Sequence, residues 1–407
     1  MSAAEAATRP PNSGTAPRSA QELVERSSAL IPILREREPA AERARCVAPE
    51  TIADLKRAGS FRVLQPARYG GLGGSIADFI SVAHEIGRGS SSAAWIFGNV
   101  ALHSWIIGMF AERAQDEIWA DQDTITSSCL RPTGATEPVS GGYRIKGRWP
   151  YVSGCDHTDW TVTGIMLQTN DGKKQPAYAL VPRGDYAIVD EWQVSGLAGT
   201  GSKDLVIEDA FVPEHRILTA AQANSKSPPG LAVHNLPIYR TPLFSSFSFF
   251  IAAPIVGMVR GAADQYVDYV KTRYTSGGAT GGGAVMAELS AVQMRVGEAE
   301  MRVDAAIALL LQAANETAAA ARSPEGMDPA QRIRNRRAQC FAARLASEAI
   351  DVLYDATGAS GILLEDPIQR IWRDVHAGTK HFSLNWDAIR TMCGQFSLGI
   401  EPSLRMF

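Results

Sequence analysis

The sequence predicts an α+β fold that is mainly α, in three parts: an N-terminal helical domain, a central antiparallel β domain and a C-terminal four-helix bundle. Three observations predict it. Apolar residues recur at helical spacing up to about residue 120, and β-branched runs broken by Gly, Pro and Asp fill the span from about 123 to 218. Long helical stretches resume after Leu243. The expected parts are a disordered tail at 1–19, the helical domain at 20–122, the β domain at 123–225 and the bundle at 226–407.

The opening stretch "MSAAEAATRPPNSGTAPRSA" is rich in Ala, Ser, Thr and Pro and lacks the apolar core of a signal peptide. Helical spacing then appears in "AQELVERSSALIPILRERE" and "PETIADLKRAG", the second stopped by Gly59. "AAWIFGNVALHSWIIGMF", from Ala93 to Phe110, is interrupted by Asn99, His103 and Ser104, which suits a buried helix better than a membrane span. No transmembrane segment is expected. The runs "GYRIKGRWPYVSG", "DWTVTGIML", "PAYALVPRG" and "KDLVIEDAFVP" read as strands. Four helices are expected at about Ser245–Tyr274, Ala284–Ala321, Pro329–Thr357 and Asp366–Leu398, joined at "SGGATGGG" and "RSPEGMDP".

Composition excludes several classes. A chain of 407 residues with 45% hydrophobic and 20% charged residues and a net charge of -3 has no electrostatic footprint for nucleic acid. Its five cysteines (Cys46, Cys129, Cys155, Cys340, Cys393) form no C-x-x-C pair, which argues against a disulfide framework or a zinc knuckle and for a reducing cytoplasm. The basic run "RIRNRR", Arg332 to Arg337, reads as a solvated helix face or a subunit contact. The glycine clusters "GGLGG" (Gly70 to Gly74) and "GGATGGG" (Gly277 to Gly283) match neither a dinucleotide fingerprint nor a phosphate loop.

The densest chemistry lies in "WPYVSGCDHTDW", Trp149 to Trp160. Cys155, Asp156, His157 and Asp159 are possible metal ligands, yet neighbours on an extended chain alternate in direction and no second cluster completes a set. No metal is expected. "VSGCD" is also not a nucleophile elbow, which makes a hydrolase a poor reading.

The order of helices, β domain and bundle, carrying "YGGLGGSIADFISVAHEIGRGSSSAAW", "GRWPYVSGCDHTDW" and "GLAGTGSKDLVIEDAFVPEHRI", resembles the acyl-CoA dehydrogenase superfamily. Within it, the chain resembles the oxygenase components of two-component flavin-dependent monooxygenases, the group of 4-hydroxyphenylacetate 3-hydroxylase and dibenzothiophene monooxygenase. The resemblance covers nearly the whole chain after the tail. It implies that Trp149 to Gly154 lies along a flavin ring, with the Ser153 hydroxyl near the flavin N5. Trp149 and Tyr151 would then offer apolar faces, and Gly154 a close backbone approach. A simple turn serine is the plain alternative for Ser153.

Dehydrogenases of the superfamily usually keep a carboxylate base shortly after an Arg-Asp pair near the C-terminus. Here the pair is Arg373-Asp374, and "VHAGTKHFSLNWD" follows, with no Glu between Glu365 and Glu401. His381 falls about where that base would be, as in the oxygenase branch. The resemblance thus implies reduced FMN or FAD from a separate NAD(P)H-dependent flavin reductase. It also implies O2 as co-substrate, a C4a-hydroperoxide, a small aromatic substrate and a homotetramer. An FAD-dependent acyl-CoA dehydrogenase, an N- or S-oxygenating relative and an inert scaffold of the same fold are the alternatives.

The resemblance places His103 and Ser128 at polar pocket positions, where a histidine can take a phenol proton. His103 could equally be a satisfied core histidine. Asn99, one turn earlier, could orient it. Phe247 and Phe250 in "LFSSFSFF" could wall an aromatic pocket or simply belong to the core. Arg273 in "KTRYTSGG" matches an arginine that reaches flavin phosphates, often from a neighbouring subunit, or is an ordinary surface arginine.

Overall fold

In the N-terminal region short polar side chains fix where helices begin. Ser19 accepts a hydrogen bond from Glu22 N at the start of α1 (Ala20–Ser28), and Ser75 with Asp78 makes a capping box for α4 (Ile76–Gly89). Prolines open α2 (Ile31–Ala44) and α3 (Pro49–Ala58), and α3 stops at Gly59 with φ 78°. Ser90 caps α5 (Ser91–Ile107), and α6 (Glu112–Ile118) closes the domain. The computed structural model describes residues 17–168, 173–275 and 283–402. Most of the expected tail, 1–16, and nearly all of "GGATGGG", 277–282, lie outside the described residues.

Every residue of α5 except Asn99 is buried, as an all-round apolar helix requires. Its first turn is anchored by Glu38 of α2, whose carboxyl accepts from the Ser90 hydroxyl and from Ser92 N and Oγ at 3.1 and 2.9 Å.

The β domain is one seven-stranded sheet in the order β5-β6-β2-β1-β3-β4-β7. Its strands are β1 (Thr126–Val139), β2 (Gly142–Val152), β3 (Trp160–Gln168), β4 (Lys174–Pro182), β5 (Ala187–Val189), β6 (Lys203–Pro213) and β7 (Ile217–Thr219). The expectation of a purely antiparallel sheet needs correcting, because β1 and β3 run parallel. The cause is strand order: β2 hairpins back along one edge of β1 and gives its other edge to β6, so β3 must take the far side of β1. There it points the same way as β1. The remaining strand pairs are antiparallel.

After short helices α7 (Ala220–Ala223), α8 (Leu231–His234) and α9 (Leu243–Ser246) come the bundle helices α10 (Phe249–Thr272), α11 (Ser290–Arg322) and α12 (Pro329–Ala356). The single helix expected at Asp366–Leu398 is two, α13 (Pro367–Gly378) and α14 (Trp386–Ser397). Between them polar side chains take the backbone donors: the His381 ring accepts from Ser383 N, and Asn385 Oδ1 from Ala388 N. The solvated-face reading of "RIRNRR" fits Arg334 and Arg337 but not Asn335 and Arg336, each 1% exposed.

The bundle joins the first domain where α10 crosses α4 and α5. Arg35 and Arg88 both donate to Asp264 of α10, at 3.2 and 2.9 Å. The stretch Leu243–Thr272 is long and apolar enough to cross a membrane, but 89% of its apolar window is buried inside the protein, as in a core helix. At Gly98 of α5 a Cβ would stand 2.4 Å from the Phe250 carbonyl oxygen and 2.9 Å from Pro254 Cγ. Only glycine lets α10 lie this close. Gly98→Ala is therefore expected to push α10 off α5 and destabilise the fold by about 1–3 kcal/mol, the range for an overpacked core; urea unfolding measures this.

Candidate active site

Residues 95, 99 and 103 share one face of α5, because positions four apart stack along a helix. Trp95 and His103 are two turns apart, about 12 Å along the axis. Each reaches a different polar group on the β domain.

At the first position, Trp95 Nε1 donates to Ser153 Oγ at 3.1 Å. Ser153 follows the last residue of β2 and Ser202 precedes the first of β6, and pairing of Val152 with Lys203 brings the two hydroxyls to 2.8 Å. Ser202 Oγ lies 2.7 Å from Thr200 Oγ1, which in turn donates to the Leu197 carbonyl at 2.8 Å. Trp95, Ser153, Ser202, Thr200 and Leu197 are all buried.

The strand leading to Ser153 does not present its aromatics as expected. Trp149 pairs with Leu205 but Val152 with Lys203, so β2 holds one extra residue, and Tyr151 takes a left-handed φ of 63°. A bulge of this kind re-aims the side chains around it. Trp149 turns into the sheet core, fully buried, and donates Nε1–H to the Gly164 carbonyl at 2.8 Å. It offers no face to a ligand. Tyr151 turns outward, 70% exposed, edge-on to Trp192 at 6.1 Å. Gly154, with φ 70°, gives its close approach to α5, where a Cβ would meet Ile96 Cγ2 at 3.0 Å.

At the second position, His103 is buried between two partners on β1. Nδ1 lies 2.5 Å from the Thr126 carbonyl oxygen, which can only accept, so Nδ1 carries the proton. Nε2 then accepts from the Ser128 hydroxyl at 2.6 Å. Burial pushes the imidazole pKa down to about 4, leaving it neutral. Asn99 does not orient this ring: its side-chain amide donates to the Trp95 carbonyl at 2.8 Å.

His381 lies after α13 and completes the first cluster. Its ring stacks on Phe247 at 5.7 Å and meets Trp95 edge-on at 6.2 Å. The Ser383 backbone N–H donates to Nδ1 at 3.3 Å and the Ser383 hydroxyl lies 2.9 Å from the same nitrogen. Since the N–H can only donate, Nδ1 accepts from both and the proton sits on Nε2, which makes no hydrogen bond among the described residues. Beneath this turn, buried Arg336 donates to the Ser383 carbonyl and the Ser248 hydroxyl, and to Gln339 Oε1 at 3.0 Å. Burial and then Arg336 hold the His381 pKa down at about 4.

The remaining candidates lie elsewhere. Phe250 is a core residue, packed between Phe79 at 4.5 Å and Trp105 at 5.6 Å. Arg273 is exposed beyond α10 with its guanidinium 5.2 Å from the Tyr269 ring centroid, and the structure does not bring it to either cluster. Asp156 pairs with Lys203 at 2.9 Å, and the His157 ring touches Cys46 Sγ at 3.4 Å. No group of three or more potential metal ligands occurs among the described residues. Sequence reasoning missed Trp95, Thr200, Ser202, Ser383 and Arg336. Trp95 had a signal in its four-residue spacing from Asn99 and His103, and Thr200 and Ser202 had one in the "GTGSKD" motif that carries the resemblance.

Comparison with known proteins identifies the family of the chain. Residues 18–122 match the model "Acyl-CoA dehydrogenase, N-terminal domain", and residues 249–386 match "Acyl-CoA dehydrogenase, C-terminal domain". The fold and site define a flavoprotein of that superfamily. The chain is 37% identical over 389 residues to the FADH(2)-dependent resorcinol hydroxylase, oxygenase component, of Rhizobium sp. (strain MTP-10005), covering 93% of this chain and 95% of that one. The crystal structure of 3-HSA hydroxylase from Rhodococcus sp. RHA1 superposes with a TM-score of 0.89 at 34% identity, covering 95% and 99% of the two chains. XiaF from Streptomyces sp., solved in complex with FADH2 and glycerol, superposes with a TM-score of 0.86 at 26% identity over 95% and 98%. The chain belongs to the acyl-CoA dehydrogenase superfamily, in the branch of flavin-dependent monooxygenase oxygenase components.

Buried His103 and half-buried His381 shape the pH dependence of stability. Both have folded pKa values of about 4 against 6.5 for a free imidazole, so between those values the unfolded chain binds more protons. Their contribution therefore rises with pH from about 4 to 6.5 and is lost as pH falls through that window. His103→Gln is expected to flatten this slope relative to the parent, as read from urea unfolding at a series of pH values.

Proposed function

We propose that this chain is the oxygenase component of a two-component monooxygenase that uses reduced flavin and O2 to hydroxylate a small aromatic or heteroaromatic compound. The observation that supports this reading best is one helix face carrying two polar clusters: Trp95 with Ser153 and His381, and His103 with Ser128.

The residues fit a flavin ring. Tyr151 and Phe382 expose 70% and 61% of their area beside Ser153 and His381, apolar faces that a flat ring would cover. Ser153 keeps a lone pair and His381 keeps Nε2–H for a ligand. Ser153 would hold the N5 edge, as the resemblance implies, and reduced flavin would supply two electrons and the site of O2 activation. One oxygen atom enters the product and the other leaves as water.

The chain's own groups account for the rest. His381 Nε2–H is a donor in a largely dry setting, where stabilisation of charge developing on oxygen is stronger than in water. His103 Nε2 is the basic atom of the other cluster. A phenol that donates to the Ser128 hydroxyl shares its proton along the Ser128–His103 hydrogen bond as the ring attacks, which raises the nucleophilicity of the ring. Phe247, stacked on His381, supplies an apolar wall.

The dehydrogenase alternative lacks its base. Among the described residues, the side chains that make ring contacts or hydrogen bonds with His381 are Trp95, Phe247, Phe382 and Ser383, none of them a carboxylate. Buried Asp374 is occupied by Leu197 N at 2.5 Å, and Glu38 by Ser90 and Ser92.

The oxygenase-component name of the Rhizobium relative implies a partner reductase. We propose an NAD(P)H-dependent flavin reductase whose product reaches this chain by diffusion. A cytoplasmic location is supported by five cysteines that are all free. A homotetramer is supported by the apolar groove along α11, α12 and α14, where exposed Phe341 stacks on Trp386. We propose that exposed Arg273 serves the cofactor of another subunit, as the resemblance implies.

The test supplies chemically reduced FAD, isotopically labelled O2 and a panel of phenols, and measures labelled product and released H2O2. The parent is expected to place one labelled atom in the product and not to oxidise NADH unaided. His381→Ala should slow product formation by about 10- to 1000-fold, the range for one electrostatic or acid–base group. His376→Ala is the control, because that ring pairs with Asp351 at 2.8 Å and packs on Trp372, apart from both clusters. An inactive His376→Ala beside a parent-like His381→Ala would overturn the assignment.

A further inference from the structure

The hydroxyl chain from Ser153 to Leu197 has only one consistent direction. Its contacts are Ser153 to Ser202 at 2.8 Å, Ser202 to Thr200 at 2.7 Å and Thr200 to the Leu197 carbonyl at 2.8 Å. Each hydroxyl owns one proton, and a carbonyl owns none. The last contact must therefore use the Thr200 proton. Thr200 then receives from Ser202, and Ser202 receives from Ser153. Any reversal leaves two buried oxygens facing each other without a proton between them, which carries the penalty of an unmade hydrogen bond.

Ser153 is consequently spent as a donor. It also accepts from Trp95 Nε1, which can only donate. Of the two lone pairs on its oxygen, one remains. The anchor of the chain is fixed as well: Leu197 N donates to buried Asp374, and the Leu197 carbonyl also receives Thr200 N at 3.1 Å and Trp192 Nε1 at 3.3 Å. Arg373, next to Asp374, donates to the Ser195 carbonyl at 2.8 Å, so the loop before Ser202 is held at several points.

We propose that this directed relay makes Ser153 an obligate acceptor, so that the site selects reduced over oxidised flavin at N5, with Ser202 and Thr200 as the positioning residues. The inference rests on the reading that Ser153 faces the flavin N5. Reduced flavin carries a hydrogen on N5 and can donate to the free lone pair of Ser153. Oxidised flavin carries a lone pair on N5 and meets another lone pair. The site thus takes up the cofactor a reductase delivers and releases the form left after turnover.

The experiment is an anaerobic titration of the full chain with FAD and with dithionite-reduced FAD, followed by equilibrium dialysis. Ser153→Ala should weaken reduced FAD by about tenfold, the worth of one hydrogen bond, and leave oxidised FAD unchanged. Ser202→Ala has the opposite signature. It frees the Ser153 proton to turn toward N5, so oxidised FAD should bind about tenfold tighter while reduced FAD stays near the parent value. Thr200→Val should act in the same sense, since Ser202 can then donate back to Ser153, and Ser202→Thr, which keeps the hydroxyl, should restore the parent ratio. General damage would weaken both forms together. If Ser153→Ala changes neither affinity, the placement of flavin against Ser153 is wrong. If Ser153→Ala behaves as expected but neither Ser202→Ala nor Thr200→Val tightens oxidised FAD, the placement stands and the relay proposal falls.

Discussion

The arrangement depends most on the hydrogen bond from the Trp95 indole to Ser153. It ties the central helix of the first domain to the point where β2 ends and β6 begins. The same indole touches the His381 ring, so all three parts of the chain meet at one side chain. Trp95 is 8% exposed and its N–H points at an oxygen, which is how a buried tryptophan is normally satisfied. If α5 rotated by one residue, about 100°, the indole would leave Ser153 and His103 would leave Ser128 together.

That helix is held in register by buried acids. Glu38 of α2 accepts from the cap Ser90 and from Ser92, beside the positive end of the α5 dipole. Asp374 of α13 fixes the loop that carries Thr200 and Ser202 through Leu197 N. Burial, and then the nearby Glu38, raise the Asp374 pKa to about 7. Arg370 is buried close by, and Arg373 pairs with Glu42 at 2.5 Å. The Arg-Asp pair seen in the sequence thus braces the loop, and its chemistry is structural.

Much of the fold was legible because its signals are local. Caps, helical spacing and alternating strands are written within a few residues of where they act, and the stop of α3 at Gly59 followed from them, although the stretch read as one helical run from Ala20 is two helices, α1 and α2. The parallel β1–β3 pair was not legible, since it follows from which edge of β1 remains free after β2 and β6 are placed. In the candidate site, Ser153, His103, Ser128 and His381 were named from the resemblance and Phe247 from its aromatic run, and the structure brings each into one of two clusters. Trp149 was misplaced because a one-residue bulge turns it into the sheet core and leaves Tyr151 alone facing outward, and nothing in "WPYV" announces it. Trp95 was missed because it sits in an apolar run where a tryptophan reads as plain core. Arg336 hid in a basic run whose burial is decided by the return of the chain after α13.

The two site histidines share a type and a neutral charge, yet they present opposite chemistry. Burial keeps both rings uncharged, so neither acts through a fixed positive charge. What differs is the atom that meets Nδ1. At His103 it is a carbonyl oxygen, which demands the proton on Nδ1 and leaves Nε2 as a base toward Ser128. At His381 it is a backbone N–H, which demands a bare Nδ1 and leaves Nε2–H as a donor. The chain thereby offers an acceptor at one cluster and a donor at the other without needing a charged residue at either place. Hydroxylation of a phenol asks for this division: a base where the substrate loses its proton, and a donor where oxygen gains negative charge. The partners that set each tautomer are main-chain groups, fixed by where the chain runs, which is why the turn at Ser383 and the strand start at Thr126 belong to the site as much as the imidazoles do.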